Sequence, residues 1–352
     1  MDSQLPRILD ANANRAREGL RTAEDYVRFI VGDLHGAERL RMLRQGITDT
    51  LLTVPELERA LIESRNVSSD PLQPDNWKDV LRRLDVELPL NVAHRGLKRA
   101  QEAFRVLEEY LRGSHNQQAE RISKLRYSAY EEEQRLVCTS AAMQILHASR
   151  VYVLLTAAFC KNNDVVKTAQ FVLNAGVKVI QLREKQTSDA EILALMNKLS
   201  ALCAAHGAIF FSNDRVDLAI LAKSSGVHLG QTDIMPRDAR RLAGGRLIVG
   251  RSTHSAEQAR HAVEIDKADY IGIGSMFETQ SKDKLILAGL KLAEEVAALD
   301  LHVPVFAIGG ITADRLPALK KAGVTRVAVS HAIIGSASPE SEARRFVELM
   351  AA

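Results

Sequence analysis

Cysteine, tryptophan and long apolar runs are all scarce in this sequence. Its 352 residues include one tryptophan and three widely spaced cysteines, Cys138, Cys160 and Cys203. This spacing excludes a disulfide framework and a cysteine-based zinc site. The longest clear apolar run, residues 151–160, is far shorter than the roughly 18 residues that a membrane helix needs. The first residues lack the basic and apolar regions of a signal peptide, so we expect a cytoplasmic protein.

Charge of one sign is also barely in excess. The chain has 47 basic and 44 acidic residues, a net charge of +3 that is too small to indicate a nucleic-acid-binding protein. Hydrophobic residues make up 46% and charged residues 26%, which is typical of folded globular proteins and excludes a disordered chain. The length favours two domains.

Residues 1–137 have the apolar spacing of helices and contain an internal repeat. Residues 15–28 match residues 99–112, with seven identical positions at an offset of 84. At 3.6 residues per turn, one face of each copy is an apolar stripe. The stripes are Ala16, Leu20, Ala23 and Val27, and Ala100, Phe104, Leu107 and Leu111. We therefore predict an all-α domain with an internal helix repeat.

A second, polar stripe accompanies the apolar one. It consists of Asn14, Glu18, Arg21 and Asp25, and it recurs as Lys98, Glu102, Arg105 and Glu109. The alternating signs are typical of a solvated, ion-paired helix face. The close recurrence of the pattern equally suits a functional site, and the periodicity does not separate the two interpretations.

From residue 151 onward, short Val- and Ile-rich runs alternate with helical patterns. The eight runs are 151–155, 177–182, 208–212, 226–229, 246–250, 269–273, 304–308 and 326–329. Eight strand–helix units predict an α/β fold, a (β/α)8 TIM barrel over residues 151–352. Residues 138–150, which begin with a small-residue stretch, are predicted to be a linker. Such a barrel carries its chemistry on the loops that follow the strands.

The segment after strand 2 carries the first phosphate-binding candidates. Strand alternation places Gln181, Arg183 and Lys185 on one face, toward the mouth of the barrel. Arginine can bind phosphate through two parallel hydrogen bonds, and lysine adds a point charge. The alternative is a solvated strand end in which Glu184 forms the ion pair.

Two carboxylates follow adjacent strands. Asp214 comes after strand 3 and Asp233 after strand 4, so both are expected at neighbouring positions of the barrel mouth. Together they can bind one Mg²⁺ with water and phosphate oxygens. Each can instead be a helix N-cap.

The later loops are rich in hydroxyl groups and glycine. Ser252 follows strand 5, and the loop after strand 6 contains Thr279, Ser281 and Lys282. Gly309-Gly310 and Ser330-His331 follow strands 7 and 8, where barrels of this kind commonly bind phosphate. A tight turn explains the glycine pair equally well. His228 lies within an apolar run, and a hydrogen-bonded core histidine is at least as good an interpretation as a catalytic one.

These motifs resemble thiamine-phosphate synthase. The resemblance spans residues 151–350 in family order and rests on Gln181-Leu182-Arg183-Glu184-Lys185, Asn213-Asp214-Arg215-Val216-Asp217, Gly226-Val227-His228-Leu229-Gly230-Gln231, Ser252-Thr253-His254, Asp269-Tyr270-Ile271-Gly272-Ile273-Gly274 and Ala307-Ile308-Gly309-Gly310-Ile311. It implies a Mg²⁺-dependent transferase. Hydroxymethylpyrimidine diphosphate loses pyrophosphate, and the nitrogen of thiazole phosphate captures the pyrimidine methylene to form thiamine phosphate.

The resemblance also implies residue roles. Diphosphate would be held by Gln181, Arg183, Lys185, Asn213 and Lys282 with Ser252 close by, and the catalytic set would be Arg183, Lys185, Ser252 and Lys282. Asp214 and Asp233 would bind Mg²⁺, and thiazole phosphate would be held by Thr279, Ser281, Gly310, Ser330 and His331. Two departures affect the thiazole-phosphate end: no proline precedes Thr279, and Ser-His stands at 330–331 where the family usually has an aliphatic residue and then serine.

The N-terminal half resembles the helical domain often fused to thiamine-phosphate synthase. Residues 10–21 with Glu24-Asp25 and Arg28-Phe29 carry this resemblance, which implies a hydroxymethylpyrimidine-phosphate kinase that uses ATP. The sequence has no glycine-rich Walker loop. The site candidates are Asn12, Asn14, Arg15, Glu18 and Arg21, and residues 64–70 are a second phosphate-loop candidate or a linker.

Two alternatives stay open at this point. The barrel can be a thiazole tautomerase, which needs no diphosphate site, and the helical domain can be a non-catalytic assembly module. The joint presence of Arg183, Lys185, Asp214, Asp233 and Lys282 favours the transferase. The expected partners are small-molecule substrates, with neither nucleic acid nor membrane, and the sequence is compatible with an oligomer.

Overall fold

The protein divides into two compact units, Met1–Val137 and Cys138–Ala352. The structure, a computed structural model, describes residues 5–31, 33–53, 61, 89–184, 187–278 and 287–351. Across these ranges, no helix combines the length and the apolar character needed to cross a membrane.

The described part of the first unit is helical. A five-residue π-helical turn, Val27–Val31, directly follows the first helix. The main helices are α1 (Leu5–Tyr26), α2 (Leu34–Leu52), α3 (Pro89–Leu111) and α4 (Asn116–Ala148). The two copies of the sequence repeat lie on α1 and α3, so the repeat corresponds to two equivalent helices.

The apolar stripes of the repeat form the centre of this unit. All eight predicted stripe residues are buried, and they share one hydrophobic cluster. Helices α1 and α3 approach each other backbone to backbone at two glycines. A methyl group on Gly19 would lie 2.3 Å from the Gly96 carbonyl oxygen, and one on Gly96 would lie 2.6 Å from the Gly19 carbonyl oxygen. Only a residue without a side chain permits this contact.

The segment predicted to be a linker, residues 138–150, is helical over most of its length. Helix α4 continues without interruption to Ala148. The segment contains neither proline nor glycine, and small residues alone do not end a helix. Ala142 and Leu146 on its last turns pack in the same apolar cluster as Tyr152 and Ile209 of the barrel interior.

The second unit contains the predicted barrel, a closed sheet of eight parallel strands in the order β1 to β8. The strands are β1 (Val151–Leu155), β2 (Val179–Leu182), β3 (Ile209–Asn213), β4 (Gly226–Leu229), β5 (Ile248–Thr253), β6 (Tyr270–Gly274), β7 (Val305–Ile308) and β8 (Val327–Val329). The helices are α5 (Val165–Asn174), α6 (Asp189–Ala205), α7 (Val216–Leu221), α8 (Pro236–Ala243), α9 (Ala256–Glu264), α10 (Gly289–Ala297), α11 (Leu316–Lys321), α12 (His331–Ile334) and α13 (Pro339–Ala351). This arrangement confirms the expected fold class.

Aromatic rings and glycines together fill the interior of the barrel. Tyr152, Phe211, Tyr270 and Phe306 are each no more than 2% exposed and lie in one cluster. Their ring centroids are 5.2 to 6.0 Å apart. Gly250 faces the Tyr270 ring so closely that an added methyl group would lie 2.1 Å from its Cζ atom. Inward-facing glycine thus provides the space that a ring from the next strand occupies.

Candidate active site at the carboxyl ends of the strands

A cavity of about 1460 Å³ opens at the carboxyl ends of the barrel strands. This volume exceeds the range of about 300–1,000 Å³ that is usual for a pocket holding one small ligand. Nine of the predicted site residues line it: Gln181, Arg183, Asn213, Asp214, Asp233, Ser252, Gly310, Ser330 and His331. The other predicted barrel residues, Lys185, Thr279, Ser281 and Lys282, lie outside the described residues.

Gln181 and Asn213 are joined at the floor of the cavity. The Gln181 side chain, 2% exposed, donates from Nε2 to Asn213 Oδ1 at 2.7 Å. Its Oε1 accepts a hydrogen bond from the Tyr152 hydroxyl at 3.0 Å. Both polar atoms of Gln181 are therefore committed inside the protein, and the Asn213 amide nitrogen remains to donate toward a ligand.

Arg183 does not form an ion pair with Glu184. Glu184 Oε1 instead accepts a hydrogen bond from the Ala157 backbone nitrogen. Within the described part of the chain, no carboxylate pairs with the Arg183 guanidinium. A cation that lines a cavity without a protein carboxylate is suited to a multiply charged anion.

Neither Asp214 nor Asp233 is a helix N-cap. Arg215 precedes α7 and Met235 precedes α8, and neither makes a side-chain cap. Asp214 has a backbone φ of 60°, a left-handed conformation that is uncommon outside glycine and often marks functional sites. Asp233 Oδ2 accepts a hydrogen bond from the Gly230 nitrogen at 2.7 Å. This bond holds the Asp233 carboxylate at the edge of the cavity.

These two carboxylates fit a hard divalent cation better than a metal enclosed by protein ligands. No group of three or more His, Cys, Asp or Glu side chains is placed to hold a metal among the residues that the structure describes. Mg²⁺ commonly takes one or two carboxylates and completes its shell with water and phosphate oxygens. The donor set at the cavity is of that type.

His228 is half-buried, lines the cavity and is hydrogen-bonded through both ring nitrogens. Its Nδ1 lies 3.0 Å from the Tyr270 hydroxyl, and its Nε2 lies 2.8 Å from Ser252 Oγ. The Tyr270 hydroxyl also lies 3.1 Å from the Tyr152 hydroxyl. Burial raises the pKa of both tyrosines well above the usual phenol value, so both hydroxyls remain protonated at neutral pH.

The glycine pair after β7 combines a tight turn with a place on the cavity wall. Gly309 and Gly310 have φ values of 104° and 62°, which favour glycine. A methyl group on Gly310 would lie 2.3 Å from the Glu278 carbonyl oxygen, so the loops after β6 and β7 touch there. Arg315 Nη1 donates to the Gly310 carbonyl at 2.6 Å, and its guanidinium lies 4.7 Å from the centre of the Phe277 ring.

Sequence reasoning gave no site role to several polar residues of this cavity, among them Tyr152, Tyr270 and Arg315. The two tyrosines lie inside apolar strand runs. A hydroxyl group at a strand position that faces the barrel interior was the signal that could have identified them as site residues. Arg315 lies five residues after Gly310, and the loop after β7 folds so that this arginine lines the cavity.

The N-terminal candidates are distributed over the polar side of α1. Asn12 is buried and donates to the Ile8 carbonyl at 2.8 Å, while Arg15 and Glu18 are exposed. Asn14 donates to Asp10 Oδ2 at 3.3 Å. Arg21 pairs with Asp25 at 3.1 Å, as a solvated ion-paired face requires. Arg15, Glu18 and Arg21 are the exposed members of the set, and the ion pair with Asp25 engages Arg21.

Fold and cavity together define the class of the chain, a (β/α)8-barrel enzyme whose site lies at the carboxyl ends of the strands. The family model "Thiamine monophosphate synthase" matches residues 151–333. The "ThiD2 family" model matches residues 7–135. The chain belongs to the thiamine monophosphate synthase family and carries a kinase-like ThiD2 domain at its N-terminus.

Individual relatives agree with this assignment. A thiamine-phosphate synthase of Synechococcus sp. is 34% identical, in an alignment covering 99% of this chain and 97% of that protein. One of Prochlorococcus marinus is 32% identical over 96% of this chain and 94% of that protein. A solved thiamine phosphate pyrophosphorylase from Pyrococcus furiosus is 29% identical with a TM-score of 0.53, covering 59% of this chain and 97% of that one. These findings confirm the resemblance, and the chain is a transferase of thiamine biosynthesis.

Proposed function

We propose that the barrel cavity condenses hydroxymethylpyrimidine diphosphate with thiazole phosphate. The bond between the pyrimidine methylene and the diphosphate oxygen breaks, and its electron pair leaves with pyrophosphate. The thiazole nitrogen then donates its lone pair to the methylene to form thiamine phosphate. The observation that carries this proposal is the meeting of Arg183, Asn213, Asp214 and Asp233 in one cavity that is large enough for two substrates.

Arg183 and Asn213 hold the departing pyrophosphate in this proposal. Arg183 offers a planar fork of N–H donors, and no carboxylate of the described chain neutralises it. The Asn213 side-chain oxygen accepts a hydrogen bond from Gln181. The Asn213 amide N–H groups are therefore the part of the side chain that can donate to an anion. Lys185 and Lys282 are predicted to add positive charge at the same place. Stabilising the leaving group is the main catalytic task, because the aminopyrimidine itself delocalises the positive charge of the methylene.

Asp214 and Asp233 hold Mg²⁺ in this proposal. A Mg²⁺ ion held by these carboxylates would supply positive charge to offset the negative charge of the diphosphate. One carboxylate oxygen of Asp233 accepts a hydrogen bond from the Gly230 nitrogen. The left-handed backbone at Asp214 sets the direction in which its side chain leaves the main chain. The Asp233 carboxylate and the Asp214 backbone are therefore fixed before any ligand binds.

Thiazole phosphate binds on the opposite side, at the loops after β7 and β8. Gly310, Ser330 and His331 line this side of the cavity, and Thr279 and Ser281 are predicted to join them. Arg315 lies on the same side and supplies a cation there. In this proposal the cation offsets the departures from the usual family sequence at position 278 and at positions 330–331.

The N-terminal unit phosphorylates hydroxymethylpyrimidine phosphate with ATP in this proposal. The match of residues 7–135 to the ThiD2 family supports it, and such a kinase makes the diphosphate that the barrel consumes. Asn12, Asn14, Arg15, Glu18 and Arg21 are the proposed site residues, with Arg15 and Glu18 open to solvent. We also place the protein in the cytoplasm, since all three cysteines are free thiols.

Two assays on the full-length protein test both activities. The first supplies the diphosphate, thiazole phosphate and Mg²⁺ and measures pyrophosphate release. The second supplies the monophosphate and ATP and measures the diphosphate formed. Asp214→Asn is expected to abolish the first activity and leave the second intact, and Glu18→Gln is expected to do the reverse.

The result of each assay has a definite meaning. If pyrophosphate is not released by the unaltered protein while thiazole isomers interconvert, the tautomerase alternative replaces the transferase. If the diphosphate never forms from the monophosphate and ATP, the helical unit is an assembly module. The lining of one cavity by Arg183 and both aspartates favours the transferase, because a tautomerase gains nothing from a metal–diphosphate site.

A further inference from the structure

Six polar side chains from six different strands form one continuous chain of hydrogen bonds across the interior of the barrel. In order they are Asn213, Gln181, Tyr152, Tyr270, His228 and Ser252. The successive distances are 2.7, 3.0, 3.1, 3.0 and 2.8 Å. All six residues also line the cavity. We refer to them as the interior chain.

The two ends of the interior chain are Asn213 on β3 and Ser252 on β5, the strands that flank β4. Between them, Tyr152 and Tyr270 are 2% and 1% exposed. An unpaired hydroxyl at such a depth would cost free energy, so the two tyrosines are expected to keep both of their hydrogen bonds at all times. The middle of the chain is therefore its most constrained part.

The hydrogen bond from Gln181 Nε2 to Asn213 Oδ1 sets the direction of the whole interior chain. Gln181 donates to Asn213, so its oxygen must accept from the Tyr152 hydroxyl. Tyr152 has a single proton and has used it, so it accepts from Tyr270. Tyr270 in turn accepts from His228 Nδ1, and the Nε2 of a neutral imidazole then accepts from Ser252.

Reversing one hydrogen bond reverses all the others, because each tyrosine has only one proton to give. In the direction described, Asn213 turns N–H donors to the cavity and Ser252 presents its oxygen as an acceptor. In the reverse direction, Asn213 presents its oxygen and Ser252 presents its proton. An anion beside Asn213 favours the first direction, since only that direction offers it donors.

We propose that Tyr152 and Tyr270 are positioning residues that transmit the hydrogen-bonding direction between Asn213 and Ser252. The two ends then respond to a diphosphate as one unit, although no hydrogen bond joins the Asn213 and Ser252 side chains directly in the described part of the chain. This inference rests on the proposed diphosphate site. Removing the Tyr270 hydroxyl separates the chain into an Asn213 half and a Ser252 half.

The test measures the energetic coupling between the two ends. Binding of inorganic pyrophosphate with Mg²⁺ is followed by calorimetry for Asn213→Ala, Ser252→Ala and the double variant. The same cycle is repeated in a Tyr270→Phe background and in a Phe306→Leu background. Phe306 is the matched control because its ring lies 6.0 Å from that of Tyr270 and carries no hydroxyl.

The expected result is a coupling of about fivefold in dissociation constant in the unaltered and Phe306→Leu backgrounds. In Tyr270→Phe the coupling is expected to disappear, and the two effects become additive. Coupling that persists in Tyr270→Phe overturns the proposal, because it then passes through the ligand or the backbone. Additive effects in the unaltered background overturn it as well.

Turnover supplies a second readout. Tyr270→Phe is expected to lower kcat for pyrophosphate release about tenfold and to leave the KM for thiazole phosphate unchanged. A purely structural role would lower the folded fraction without separating the two constants. If the unaltered protein binds pyrophosphate yet releases none from the substrate, the proposed function fails while the coupling cycle still decides the role of the tyrosines.

Discussion

Glu24 and Glu108 occupy equivalent positions in the two copies of the helix repeat, and each receives an arginine from the helix that follows. Arg44 of α2 lies 3.0 Å from Glu24, and Arg126 of α4 lies 3.0 Å from Glu108. Both carboxylate side chains are only 4% exposed. The repeat is therefore a duplicated helix pair held by a buried ion pair, a relationship that the sequence of one helix does not contain.

The Glu108 pair is expected to make the stability of the helical unit depend on acid pH. Burial alone raises the pKa of Glu108, but hydrogen bonds from Arg112 and Arg126 outweigh it and lower the pKa overall. A lowered carboxyl pKa contributes stability above the unfolded value, and this contribution is lost as pH falls through the folded value. Thermal unfolding at several pH values should show it.

Glu108→Gln is the variant that isolates this contribution. It should cost about 3 kcal/mol at neutral pH, because it leaves a buried arginine without its carboxylate. Its unfolding temperature should also fall less steeply with acid than that of the unaltered protein. Glu120→Gln, which removes an exposed carboxylate of α4, serves as the control. Equal acid dependence in all three proteins would contradict the prediction.

Gly19→Ala should destabilise the helical unit by about 1–3 kcal/mol, since the methyl group meets the Gly96 carbonyl of α3. Helix propensity alone predicts the opposite sign, a gain of about 1 kcal/mol. Chemical denaturation measures which effect dominates. Gly46→Ala is the comparison, because its methyl group would meet only the movable end of the Leu125 side chain. A more stable Gly19→Ala protein would refute the close helix contact.

Substitutions of Asp214 should separate backbone strain from charge. Asparagine tolerates the left-handed backbone at this position and alanine does not, so Asp214→Asn should keep the unfolding temperature while Asp214→Ala lowers it. Both should reduce Mg²⁺-dependent pyrophosphate release at least about 100-fold, because both remove the carboxylate. Full activity in Asp214→Asn would exclude this residue as a metal ligand.

Arg251 is expected to support the loop that carries Asp233. Its guanidinium is buried and donates to the Ile234 carbonyl at 3.2 Å and to the Gln231 carbonyl at 3.4 Å. Arg251→Met should therefore raise the Mg²⁺ concentration needed for half-maximal rate about tenfold, as is usual for residues that orient a metal ligand. Arg237→Met, on an exposed side chain of α8, should leave that concentration unchanged. Identical Mg²⁺ curves for both variants would argue against the supporting role.

Much of the barrel follows from the sequence, because each strand is a short apolar run between polar loops. All eight runs contain the observed strands or overlap them. The carboxyl-end loops then bring Arg183, Asp214 and Asp233 to one cavity, as strand counting predicts. The extent of α4 follows from the lack of proline and glycine in residues 138–150, a signal that the run of small residues obscured. Tyr152 and Tyr270 were missed because their partners lie on strands far away in sequence.

The pairing of Gly250 with the Tyr270 ring has a consequence for how such barrels change over evolution. An alanine at position 250 overlaps the ring, and a smaller residue at position 270 leaves a void, so either change alone is costly. The two positions are expected to vary together among relatives, as do Gly226 and Phe211. Residues that line the inner wall of the barrel are thus expected to be conserved as pairs on neighbouring strands. The role of Tyr270 then depends on a glycine being kept at position 250.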